Sequence, residues 1–337
     1  MADRPKLSVR LHGGMSASEC VAQARAAEAA GMFGVWFAEN PFARGILPAA
    51  AACAVATHTL RIGAGVFNPY MRHPLQIAMD ASALDELSGG RARLGLGSGI
   101  GSAIEQIGFA YDRPLTTLRE AAAIVRALLN GETVTYVGSV FTLRDVQLSF
   151  RPRADMPIYM AGRGPQSVVA CGEVADGLIV SNMCTAAFAA RTAETLRAAA
   201  SAAGRSACPE IVQYVPCVPR ADRVEAYAIA KRAIAEMLPA FWALGQRLPA
   251  ARDAMLDGGA IGEAEFAAAY ARLCAGEKPE NVLDDRFVAA FAIAGDAEDC
   301  RKQVAAYGAA GVTELALTFS ARRADEDMRT LARAISA

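Results

Sequence analysis

Glu39 and Asn40 stand together in "FAENPF", a carboxylate beside an amide at the end of a short apolar run. Such a pair can pass a proton and hold a polar group in place, and it serves equally as a solvated loop. His12, in "LHGG", is a third candidate for proton handling, because imidazole titrates closest to neutrality. "GRGPQS", residues 162–167, offers different chemistry. Gly162, Gly164 and Pro165 open a helix there and leave the backbone N–H groups of Gln166 and Ser167 free for an anion, with Arg163 alongside. The same glycines also suit a bare turn, and the sequence leaves both readings open. "GLGSGIG", residues 95–101, lacks the GxGxxG spacing and the later acidic residue of a dinucleotide fingerprint. Gly97, Ser98 and Gly99 therefore read as room for a flat or phosphorylated ligand to approach the backbone.

Weaker signals surround these. Arg10 lies inside a strand pattern, where an inward-facing cation needs a partner or a ligand. His73 precedes Pro74 and reads as a loop or cap residue, and Arg91 after "SGG" reads as structural. Phe67, Tyr70, Met183 and Cys184 suit either packing or the wall of an apolar ring pocket.

Something must bring these residues together. β-rich apolar runs at 6–11, 34–37, 60–66, 92–97, 158–161, 177–180, 211–217 and 314–318 alternate with alanine-rich helical patterns. Ser16 and Glu19 form a capping box before "CVAQARAAEAAG", Gly31 stops that helix, and Pro74, Pro165 and Asp296 open others. Eight strands each followed by a helix predict one α/β domain over residues 1–337, a (β/α)8 TIM barrel, which needs ~250 residues. The surplus falls into two insertions, one between helix 4 and strand 5 (about 130–157) and one between strands 7 and 8 (about 238–287). In the first, Val134, Tyr136, Phe141 and Leu143 alternate around Gly138 as a hairpin does; in the second, Pro239, Pro249 and Pro279 interrupt weak helical patterns. In such barrels ligands bind at the C-terminal ends of the strands, where the chemistry-bearing stretches fall.

Composition narrows the function. With 34 basic and 35 acidic residues the net charge is -1, so no long-range field favours nucleic acid or a membrane surface. Eight cysteines show no CxxC pair, and His12, His58 and His73 show no metal-ligand spacing, so neither a metal site nor a disulfide framework is expected. No apolar run has the length of a signal peptide or membrane span, and a cytoplasmic protein is expected.

The stretches "IGAGVFNPYMRHPLQIAMDASALDELSGGRARLGLGSG", "IGFAYDRPLTTLREA", "PIYMAGRGPQSVVACGEVADGLIVSN" and "AGDAEDCRKQVAAYGAAGVTELAL" together resemble the luciferase-like superfamily of flavin and deazaflavin barrels. The likeness covers nearly the whole chain and is strongest to its methylenetetrahydromethanopterin reductase branch. It implies a non-prolyl cis peptide between Gly65 and Val66, with "FNPY" and Asn68 backing the cofactor ring. It also implies that residues 162–167 hold the cofactor phosphate and that Gly97, Ser98 and Gly99 lie beside its ribityl chain. The cofactor is then F420 or FMN, and Glu39, Asn40 or His12 positions or protonates a small organic substrate. The chain departs from the branch where Arg10 replaces a glutamate, where Glu39 and Asn40 replace an Asp-His pair, and where "GSGI" replaces "GPGD". The resemblance therefore does not extend to the substrate. It implies an oxidoreductase that transfers hydride between the bound ring and the substrate. Its rivals are a two-component FMN monooxygenase served by a flavin reductase and, given Arg10, a flavin-binding barrel without turnover. A phosphate-substrate lyase or isomerase would need a lysine or paired carboxylates that the strand ends lack. A homodimer is expected by analogy with barrels of this size.

Overall fold

Alternating β-rich runs and alanine-rich helices close into a parallel barrel in the computed structural model, which describes residues 4–320 and 322–336. The first half runs β1 (Lys6–His12), α1 (Ala17–Ala29), β2 (Gly34–Ala38), α2 (Ile46–Ala56), β3 (Arg61–Phe67), α3 (Pro74–Ser88) and β4 (Ala92–Leu96). Then come α4 (Gly101–Gln106), α5 (Pro114–Leu129) and an antiparallel hairpin of β5 (Val134–Val137) and β6 (Thr142–Val146). The barrel resumes with β7 (Ile158–Ala161), α6 (Pro165–Val174), β8 (Gly177–Val180), α7 (Ala186–Ala202) and β9 (Glu210–Pro219). A helical excursion follows through α8 (Arg223–Arg247), α9 (Pro249–Leu256), α10 (Glu263–Cys274), α11 (Pro279–Val282) and α12 (Asp285–Phe291). The chain ends with β10 (Ile293–Gly295), α13 (Ala297–Ala309), β11 (Glu314–Phe319) and α14 (Ala324–Ser336).

Strands β1-β2-β3-β4-β7-β8-β9-β11 pair in that order, and β11 meets β1 to close the ring. All eight are the strands the sequence predicts. The expected hairpin is present around Gly138, and the Ser16–Glu19 capping box and the Pro74 and Pro165 helix starts form as expected.

Two expectations need correction. The second insertion is wider than 238–287, since it starts with α8 at Arg223 and ends with the unforeseen β10, which pairs with Cys217–Pro219 of β9 after β8 has stopped at Gln213. Pro239 does not interrupt a helix but lies inside α8. Its missing N–H costs one backbone bond, and the apolar face Tyr227, Ala230, Ile234, Leu238 and Trp242 carries the helix through by packing on Phe266, Phe287 and Phe291. Pro249 and Pro279 do open helices.

The barrel interior is filled from below. A Cβ on Gly63 would come within 2.3 Å of the Trp36 ring, and one on Gly177 within 2.3 Å of the Tyr159 ring. These two positions must be glycine for the large rings to fit. Trp36 Nε1 donates to Glu314 at 2.8 Å, and Glu314 also takes Arg93 through both oxygens at 2.5 and 2.9 Å. Burial pushes Arg93 down, but the Glu314 carboxylate outweighs it and keeps the guanidinium charged. The lower half of the barrel is thereby plugged by side chains.

Candidate active site

The stretches that hold His12, Glu39 and Asn40, Gly65 to Asn68, Gly97 to Gly99 and Gly162 to Ser167 all leave the C-terminal ends of barrel strands. At β3 the register slips between Ala64 and Phe67, and the peptide between Gly65 and Val66 is cis. The β4 exit presses against this kink. A Cβ on Gly97 would stand 2.4 Å from Val66, and one on Gly99, whose φ is +75°, 2.3 Å from the Asn68 amide. Gly97 N–H donates to the Phe67 carbonyl at 3.0 Å. Asn68, buried, accepts from the Tyr70 N–H at 2.9 Å and so shapes the turn. Tyr70 and Tyr111 lie 5.2 Å apart, and Tyr111 donates to Ser98 at 2.9 Å. Gly65, Val66, Asn68, Gly97, Ser98 and Gly99 thus form one interlocked wall.

A second wall stands on β7 and β8. Gly162 is held so close to Ser167 that a Cβ on it would meet that side chain at 2.6 Å. Helix α6 starts at Pro165 with Gly164 as its cap and no side-chain hydrogen bond, so the N–H groups of Gln166 and Ser167 face outward from the first turn. Arg163, next to that turn in sequence, has its guanidinium held by other partners. It donates to the Asn182 carbonyl at 3.0 Å and rests over the Phe241 ring of α8 at 4.7 Å, ties that draw it across to β8. Its Nη1 and the Asn182 Oδ1 are buried without a partner.

On the third side, β1 and β2, the candidates separate. Glu39 is clamped by Arg72, with both oxygens at 2.7 Å from the guanidinium, and Arg72 lies over the Phe67 ring at 4.9 Å. Asn40 is exposed. His12 is half-buried, and its Nδ1 accepts from the Gly14 N–H at 3.1 Å, which leaves the proton on Nε2. Burial and then the Arg10 charge push its pKa below the ordinary value. His12 also edges a cavity of about 390 Å³ lined by Met15, Cys20, Phe37, Arg44 and Ile46, one layer outside the mouth between α1 and α2.

Of the weaker signals, His73 caps α3 by accepting from Leu75 N–H, and Arg91 ties carbonyls of Ala54, Thr57, Leu60 and Ser88 at the far end. Phe67 and Cys184 are buried in the layer between strands and helices. Sequence reasoning missed Arg72 and Asn182, which meet Glu39 and Arg163 only when the strands close side by side.

Among the described residues no cluster of three or more His, Cys, Asp or Glu is placed to hold a metal, and no helix is long and apolar enough to cross a membrane. Residues 3–314 match the model of a family described as luciferase-like monooxygenase. The chain is 30% identical over 301 residues to the 5,10-methylenetetrahydromethanopterin reductase of Methanolobus tindarius, which spans 87% of each protein. Its fold is similar to that of the coenzyme F420 dependent tetrahydromethanopterin reductase from Methanopyrus kandleri, with a TM-score of 0.85 and 21% identity over 99% of both chains. A monooxygenase from Streptomyces bottropensis is also similar, with a TM-score of 0.74 and 20% identity over 98% of both chains. At such identities the two structures speak for the fold alone.

Proposed function

Because this chain belongs to the luciferase-like monooxygenase family, we propose that it is an oxidoreductase that moves hydride between a flavin-type ring and an organic substrate over the ring's open face. The observation that carries the reading is the β3–β4 wall, where the kink at Gly65 and Val66 is backed by Gly97 and Gly99 with no space for a Cβ. The two glycines let the Val66 and Asn68 side chains close onto the β4 backbone, which makes a smooth wall for a flat ring to lean on.

The remaining residues fit such a cofactor. Arg163 Nη1 and Asn182 Oδ1 are buried polar atoms with no protein partner, and the first turn of α6 offers uncapped N–H groups of Gln166 and Ser167 to an anionic tail. When bound, F420 or FMN supplies the hydride chemistry. The chain's part is to hold and orient. His12, kept neutral, offers an Nε2–H to the substrate, Asn40 offers its amide, and the Glu39–Arg72 pair fixes the loops that carry them. F420 is the first reading because a relative 32% identical over 151 residues is named an F420-dependent glucose-6-phosphate dehydrogenase. The family model is described as monooxygenase, and FMN is the second reading, in which case the chain is a monooxygenase fed by a separate flavin reductase. A second copy of the chain is the proposed partner, through α2, and the cytoplasm the proposed compartment.

The test is to mix the purified protein separately with F420 and with FMN and follow quenching of cofactor fluorescence. Micromolar binding of one of them is expected, and binding of neither at tens of micromolar overturns the reading. If FMN binds, oxygen uptake with reduced FMN distinguishes monooxygenase from reductase.

A further inference from the structure

Among the described residues, the charged side chains at inward-facing strand positions are paired with one exception. Near the lower end Arg93 is matched by Glu314 and Lys6 by Glu210. Higher up, Arg10 has no acidic partner among the described residues, and its Nε is buried without a hydrogen bond. Two more polar atoms nearby share that condition, Tyr214 Oη and Thr318 Oγ1. The Arg10 guanidinium lies 5.3 Å from the centre of the Tyr214 ring. Val9 pairs with Leu317, so Arg10 and Thr318 come next on the same ladder, while Thr318 in turn pairs with Pro216, two residues beyond Tyr214. Three unpartnered polar groups thus stand on three adjacent strands, β1, β11 and β9. In the ring of eight, β9 is the strand farthest from the β3 kink. The cluster faces the side of the mouth that a ring leaning on β3 leaves open.

We infer that Arg10, Tyr214 and Thr318 form the seat of a substrate carboxylate, so that the molecule reduced or oxidised here is an organic acid. The inference rests on the hydride-transfer reading of the mouth and names the class of substrate. A half-buried guanidinium without a counter-charge is costly, and its planar fork matches the two oxygens of a carboxylate. Burial lifts the Tyr214 phenol above its usual range, so the hydroxyl stays protonated and donates. One positive charge and two neutral hydroxyls balance a monoanion. A phosphate dianion would leave excess negative charge, and a neutral carbonyl would leave Arg10 uncompensated. Ile179, Ala38, Val66 and Ala161 supply apolar surroundings for the acid's carbon frame.

The probe is benzoate, with benzamide as its neutral counterpart, titrated calorimetrically into the full chain with and without its cofactor. Benzoate should bind at least about tenfold more tightly than benzamide, and Arg10→Met should remove that preference. Tyr214→Phe, which deletes one oxygen, should weaken benzoate several-fold. The Arg10→Met protein should melt no lower than the parent, because an uncompensated charge has been removed. Its affinity for F420 or FMN should stay within about twofold of the parent's.

Equal binding of the two probes overturns the inference, as does unchanged benzoate affinity in either variant. A fall in cofactor affinity on Arg10→Met would assign the guanidinium to the ring's pyrimidine edge instead, and a lower melting temperature would make it a strut. If Arg10→Met yields no folded protein, the Tyr214→Phe result decides. Failure of the parent to bind F420 or FMN breaks the hydride-transfer reading alone, because the benzoate titration without cofactor stands apart from it.

Discussion

A carboxylate gripped at both oxygens has little freedom to swing toward a substrate, and that is the condition of Glu39. The Arg72 fork is half-buried and stacked on Phe67, so the pair joins the β2 and β3 exits as a brace. Brace and proton donor predict different kinetics. If the pair acts as one unit, Glu39→Gln and Arg72→Met each lower turnover about tenfold and the double variant is no worse, a coupling of roughly 1–2 kcal/mol for partly exposed partners. A double-mutant cycle on kcat checks this, and a Glu39→Gln loss far exceeding that of Arg72→Met would restore Glu39 as an acid. The sequence revealed Glu39 because it ends a strand. It hid Arg72, 33 residues later, because only the return of β3 beside β2 brings them together. Arg10 was legible as an inward cation needing a partner, but that no acid answers it is a property of the closed barrel.

Elements were read best where a pattern repeats locally. The barrel strands showed as short apolar runs, and the β5–β6 hairpin by alternation on either side of Gly138. β10 was invisible because three residues carry no period, and α8 was misread because the local cost of Pro239 is outweighed by packing far along the chain. Val134, Phe141 and Leu143 bury the hairpin against the barrel, and a side chain on α5 holds its turn. Glu120 accepts from the N–H groups of Ser139, Val140 and Phe141 at 2.7, 3.1 and 3.0 Å. Burial pushes its pKa up, but those three donors, with Arg113 beyond them, outweigh it and leave the carboxyl below its ordinary value. A carboxyl depressed in the folded state adds stability that is complete above the unfolded value, about 4.3, and drains away as pH falls through the folded one. Glu120→Gln should therefore melt lower than the parent at pH 7, and the gap should close as pH drops below about 4.5. Melting curves between pH 7 and pH 3 test it, and a gap independent of pH would mean the carboxylate charge is not what holds the turn.

At the scale of the whole molecule, a barrel helix is ordinarily apolar toward the strands and polar toward water, and α2 breaks that rule. From Ile46 to Ala56 it reads "ILPAAAACAVA", with no polar side chain on any face. Ile46, Ala49, Ala50, Cys53 and Ala54 are buried inside, while Val55 is 63% exposed. On neighbouring α3, Met79 and Leu87 are exposed as well. A helix apolar all round belongs under cover, and contiguous exposed apolar surface marks an interface. A twofold dimer would cover the patch with its own copy, and a net charge of -1 sets up little repulsion between copies. The mouth, at the strand ends, would remain open in such a dimer. Val55→Asp should therefore convert the protein to a monomer at ~10 µM, since an interface of roughly 1,200–2,000 Å² tolerates no unpaired carboxylate at its centre. Because Val55 is exposed, the monomer should keep its melting profile to within a few degrees and still quench F420 or FMN fluorescence. Sedimentation equilibrium of parent and variant decides the matter. A parent that sediments as a monomer would leave α2 to some other cover, and a variant that remains dimeric would move the interface to a different face of the barrel.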